Sequence, residues 1–162
     1  MSDSRRLLGI YLNDHLAGST GGVELVRRVR AANENEEEFG GPLAEICAEI
    51  EADRETLIAL MEQLGIRRDP LKPAAAWAFE KFGRLKLNGR LTGYSPLSRL
   101  VELEALLIGI TGKAQMWKAL AQSFGGRLGE FEFEQLAERA EHQRDVVQEL
   151  HLQAAARALP QP

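Results

Sequence analysis

The chain carries a single cysteine, Cys47, so no disulfide can form within it, and a reducing, cytoplasmic compartment is expected. No stretch approaches the roughly 18 apolar residues that a membrane-spanning helix needs. The opening "MSDSRRLLGIYLNDHLAG" meets Asn13, Asp14 and His15 too early for a signal peptide's apolar region. Basic excess is missing too: 20 Lys and Arg stand against 24 Asp and Glu, a net charge of −4, so no global field draws the chain to nucleic acid. β-Branched residues nowhere cluster in alternation, which argues against a sheet. The glycines of "GSTGG" (residues 18–22) follow no strand and precede no Gly-Lys-Ser/Thr, so they suit close helix packing rather than a phosphate loop. Ser19, His15 and Asp14 crowd one helical stretch without a nucleophile elbow or oxyanion hole, which excludes a catalytic triad. Cys47 lies on an apolar helix flank among acidic residues, where its thiol pKa is raised and its role is structural.

What is present is helical periodicity. The 162 residues, 44% hydrophobic and 27% charged, suit one globular domain over 1–162. Four amphipathic segments fall at about 4–32, 42–64, 95–123 and 131–159. Leu8, Leu12, His15, Ser19, Gly22, Val26 and Val29 stripe the first, and Ile46, Ile50, Asp53, Leu57, Leu60 and Leu64 the second. The fourth carries Phe133, Leu136, Ala140, Gln143, Val147, Leu150 and Ala154. Pro42 suits a first helical turn and Gly65 a C-terminal cap, while Ser95 caps Pro96 at the third start. Connections of about nine and seven residues make each neighbouring pair an antiparallel hairpin. The crossover 66–94, with a short helix near 74–85, joins the hairpins, as in ferritin-like bundles rather than plain up-down ones.

Two further patterns bear on the architecture. "LAGSTG" (16–21) in the first helix is echoed by "LIGITG" (107–112) in the third, and Asp53-Arg54 by Gln143-Arg144 ninety residues later. From Ala32 to Gln63 ten acidic residues face one basic residue, and from Ile66 to Arg99 eight basic face two acidic, so internal pairing between these regions is expected.

The seams each hold a polar residue near the middle: His15, Asp53 with Glu49 one turn before it, Gln143, and Glu104 aligned with Ile108, Thr111 and Gln115 on a third helix that is apolar almost all round. Burying such a group without a partner costs several kcal/mol, so a shared centre is expected. One reading is a hydrogen-bonded layer of His15, Asp53, Arg54, Glu104, Gln143 and Arg144, with no cofactor. The other is an iron or manganese site on His15, Glu49, Asp53 and Glu104. Leu106, Ile110, Trp117 and Leu120 lie off the third helix's main seam, a surface for the crossover or a second subunit. In "WAFEKFGRLKLNGRL", Trp77, Arg84, Lys86 and Arg90 form a basic aromatic partner surface; packing on the bundle is favoured over a membrane or single-stranded nucleic acid.

The stretches "YLNDHLAG", "GRLKLNGRL", "YSPLSRLVELE" and "AEHQR" give a resemblance to a bacterial branch of the ferritin-like superfamily. The resemblance covers essentially the whole chain and implies a four-helix bundle with one long crossover. In that superfamily, a Glu followed three residues later by His on two helices, with a Glu from each of the others, holds a di-metal centre. Leu12, Arg139 and Gln148 occupy the positions three before His15, His142 and His151, and Glu49, Asp53 and Glu104 alone match in part. The expected protein is a non-catalytic binding or scaffold module whose metal site has become a polar network. The alternative is a di-iron or di-manganese oxidase or metal store. Self-association or a protein partner is expected, and neither nucleic acid nor membrane.

Overall fold

The computed structural model describes residues 3–69 and 94–159, and every long element among them is an α-helix. These are α1 (Asp3–Asn33), α2 (Glu37–Gln63), α3 (Pro96–Phe124) and α4 (Phe133–Ala158), with one 3-10 turn at Gly125–Leu128. None of the described helices is long and apolar enough to cross a membrane. The short helix expected near 74–85 and the surface of Trp77, Arg84, Lys86 and Arg90 lie outside the described residues.

Local chemistry sets the ends. Ser95 caps α3, its hydroxyl oxygen accepting from the Ser98 N–H at 3.1 Å, and Pro96 follows in the first turn, where its missing donor costs nothing. Gly65, at φ 60°, closes α2: the Ile66 N–H reaches the Met61 carbonyl at 2.8 Å and the Gly65 N–H that of Glu62 at 3.0 Å. The start of α2 differs from expectation. The helix begins at Glu37, five residues before Pro42, and the turn from α1 is only Glu34–Glu36. Phe39 is the reason. Its ring is fully buried, with the Arg99 and Arg157 guanidinium groups 4.4 and 5.1 Å from its centroid, and the extra turn carries it there.

Cross-helix pairs give the directions. Arg5 donates to the Leu64 carbonyl at 2.7 Å and Arg27 meets Glu51 at 2.6 Å, so α1 and α2 are antiparallel. Arg28 meets Glu102 at 2.8 Å and Arg99 bonds Asn33, so α3 also runs against α1. Glu104 faces His151 and Lys118 faces Glu141, so α4 runs against α3. The four helices close a ring in the order α1, α2, α4, α3. In this ring α2 and α3 are parallel, so the end of α2 and the start of α3 lie at opposite ends of the bundle. The ends of the crossover sit on α1: the Asp69 N–H donates to Asn13 Oδ1 at 2.7 Å, and the Asn33 side chain donates to the Tyr94 hydroxyl at 3.2 Å. Of the expected pairing between acidic and basic regions, Arg68–Glu62 and Arg99–Glu36 are present, each at 3.1 Å.

The core has two parts. One, around Val26, Phe39, Ile46, Leu103 and Val147, fills the end near the α1–α2 turn. The other, around Leu12, Leu60, Met61, Trp117 and Phe133, fills the opposite end. Between them lies the level of Asp53.

Gly40 has the least room of the described glycines. A Cβ there would stand 2.8 Å from the Glu34 carbonyl oxygen and 3.2 Å from that of Asn33, whereas one on Gly41 would meet nothing within 4 Å. Gly40→Ala should therefore destabilise the protein by about 1–3 kcal/mol through overpacking against backbone. Gly41→Ala should stabilise it by up to about 1 kcal/mol through helix propensity. Urea denaturation of the two variants measures both, and equal effects would contradict the geometry.

Candidate functional site

Asp53 is 2% exposed, on the core face of α2. Each of its oxygens takes a cation: the Lys113 ammonium from α3 on Oδ2 and the Arg139 guanidinium from α4 on Oδ1. Gln143, one turn along α4, is fully buried and joins the network at both ends of its amide. Its Oε1 accepts from Lys113, and its Nε2 donates to Asp53 at 3.1 Å and to Glu49 at 2.9 Å. Burial pulls the Lys113 amine below its ordinary range, and the Asp53 carboxylate opposes that pull.

The layer thus unites Asp53, Gln143 and Glu49, and the cations that serve it are not those expected. Arg54 follows Asp53 directly, so it points off the core face and pairs with Glu55 at 3.0 Å. Arg144 likewise pairs with Asp145 at 2.8 Å on the surface. Glu104 is exposed and meets His151 at 3.2 Å, far along α3 from Lys113. His15 stands apart, its ring edge-on to Tyr11 with centroids 4.7 Å apart. The face of α3 is the source of the difference. Glu104, Ile108, Thr111 and Gln115 are exposed, while Leu106, Ile110, Trp117 and Leu120 form its buried stripe. Lys113 lies in that stripe between Ile110 and Trp117, a lone cation in an otherwise apolar run, and this was the signal available for it.

Beside the layer, α1 and α3 part to leave a cleft of about 400 Å³ floored by α2. Gly18, Gly21 and Gly22 line it from α1 and Gly109 and Gly112 from α3, so the two halves of the "LAGSTG"/"LIGITG" echo form opposite walls. A Cβ on Gly18, Gly22, Gly109 or Gly112 would meet nothing within 4 Å. Leu25, Ile50, Leu57, Met116 and Trp117 supply apolar surface, and His15, Asp53 and Lys113 also reach the cleft. The other echo meets in space as well, through the Gln143–Asp53 hydrogen bond.

These residues do not fit the di-metal centre that the resemblance implies. Both Asp53 oxygens carry protein cations, Glu104 is engaged by His151, and no group of three or more His, Cys, Asp or Glu converges among the described residues. Comparison with family models, curated proteins and solved structures finds no match. Cys47 is buried, and burial raises its thiol pKa, with Glu51 adding to the rise.

Asp53→Leu strands Lys113 and should cost about 3–5 kcal/mol, the range for a broken buried pair. Adding Lys113→Met should recover much of that loss, since Arg139, at 37% side-chain exposure, can turn to water. Adding His15→Leu instead should recover none, because His15 does not touch Asp53. Chemical denaturation of the three variants tests the network directly.

His15 offers a test by pH. Burial lowers its pKa from the ordinary 6.5, with Asp14 opposing. The unfolded chain therefore binds the proton more readily, so this residue costs stability below its folded pKa, and the cost disappears as pH rises to about 6.5. The melting temperature of His15→Leu relative to the native chain should accordingly be higher at pH 5 than at pH 8. An equal difference at both would contradict the shift.

Proposed function

We propose that the chain is a ferritin-like bundle working as a non-catalytic binding module, in which a cation–carboxylate–amide network stands where that architecture places its metals. The parallel α2 and α3, joined by one long crossover, support the ferritin-like topology. The observation that carries the functional half is the seating of Lys113 and Arg139 on the two oxygens of Asp53. A dication on the same carboxylate would have to displace an ammonium and a guanidinium already held there. The network uses no general acid or nucleophile facing an oxyanion site, so no reaction is assigned to it.

The decisive measurement is elemental analysis of untagged protein purified without chelator, with a melting curve before and after chelation. The expected result is sub-stoichiometric iron, manganese and zinc, and an unchanged melting temperature. Stoichiometric iron or manganese that disappears in Asp53→Ala, with a melting temperature that falls on chelation, would instead make the protein a metal-dependent oxidase or metal store.

A further inference from the structure

The cleft between α1 and α3 is built of two unlike materials. Its walls are mostly glycine and aliphatic or aromatic carbon, with Asp14, His15, Ser19 and Arg54 also lining it, and one end of its floor is the edge of the ion network, where Asp53 and Lys113 lie among its lining residues. A volume of about 400 Å³ falls within the usual range for small-molecule sites, roughly 300–1,000 Å³. The space exists because side chains are missing: at four of its glycines a Cβ would touch nothing.

Charge decides what suits it. Two carboxylates, Asp53 and Glu49, are met by two cations, Lys113 and Arg139, and the Gln143 amide bridges them. The network is balanced within itself. The two other charged residues lining the cleft are also engaged, Arg54 by Glu55 at 3.0 Å and Asp14 by a partner of its own. A carboxylate or ammonium brought into the cleft would have to break one of these pairings or go without a counter-charge in low-dielectric surroundings, a cost of several kcal/mol. An uncharged oxygen meets no such cost, and one donor is open to it. An ammonium has three N–H groups, of which Lys113 gives one to Asp53 and one to Gln143. The third has no acceptor among the described residues.

We infer that the cleft binds an uncharged, largely apolar small molecule whose single carbonyl or hydroxyl oxygen accepts from Lys113 while its hydrocarbon body lies between the glycine walls. This rests on the reading of the chain as a binding module and supplies its ligand class.

The test uses matched ten-carbon probes, 2-decanone and decanoate, titrated calorimetrically into the full chain at pH 7. The ketone should bind saturably, with decanoate weaker by about tenfold or more. Gly18→Leu and Gly112→Leu, which fill the cleft, should each weaken ketone binding by about tenfold or more while holding or raising the melting temperature. With Trp77→Phe leaving Trp117 as the only tryptophan, its emission should change on titration. The infrared carbonyl stretch of bound ketone should fall below its value in hexane, reporting the ammonium contact. Absence of ketone binding, or binding indifferent to the leucine variants, overturns the cleft as the site. Tighter binding of decanoate, or a stretch equal to that in hexane, overturns the ligand class. Metal analysis stands apart: stoichiometric metal beside a ketone-filled cleft removes only the network reading, and a metal-free chain that ignores the ketone removes only this inference.

Discussion

A carboxylate at 2% exposure needs cations delivered to it, and only a fixed alignment of helices can deliver them. Asp53 receives Lys113 from α3 and Arg139 from α4 while Gln143 holds the remaining polar atoms, so three helices are tied at one height. Aliphatic seams alone tolerate sliding by a turn, because one Leu or Val replaces another with little loss. Here a slip of one turn would leave a buried carboxylate facing carbon. Ion pairs of this kind add little net stability over an apolar substitute, while removal of one partner leaves an uncompensated buried charge. The layer also separates the two halves of the core, so each packs against a fixed boundary.

How much of this could be read beforehand depended on contrast within each helix. On α2 and α4 a single polar residue interrupts a clear three-and-four stripe, which made Asp53 and Gln143 legible as members of one buried layer. On α3 there was no contrast. With apolar residues around nearly its whole circumference, periodicity does not select a face, and the stripe of Glu104 competes with the one that holds Lys113. The true stripe was visible as Leu106, Ile110, Trp117 and Leu120, but a lysine inside it reads as a surface residue by type. Its long stem lets it reach inward from the flank, at 15% exposure. Arg54 and Arg144 misled for a simpler reason: sequence neighbours on a helix point about 100° apart, so adjacency to Asp53 or Gln143 removes them from its surroundings.

Ends and echoes show the same dependence on local versus distant causes. The Ser95 cap and the Gly65 stop are written in one or two residues and were legible at once. The early start of α2 was not, because its cause is a ring seated beneath arginines more than 50 residues away in sequence. The paired glycine stretches are similar strings, yet nothing in a string says that the two face each other across empty space. That required α1 and α3 to be neighbours, which follows from the ring order of the helices.

Arg99 joins the halves in another sense. It belongs to the second hairpin, but its guanidinium is satisfied by the first: Asn33 and Glu36 accept from it, and the face of Phe39 lies beneath it. Neither hairpin alone offers a finished turn. Without α3, the buried Asn33 and Phe39 lose the group that covers them; without the α1–α2 turn, a side chain only 9% exposed has nowhere to place its charge. Two hairpins with matching sequence fragments could in principle melt as separate units. This shared arginine, with the Asp53 layer in the middle of the bundle, couples the two hairpins, so that opening either one exposes buried polar groups of the other.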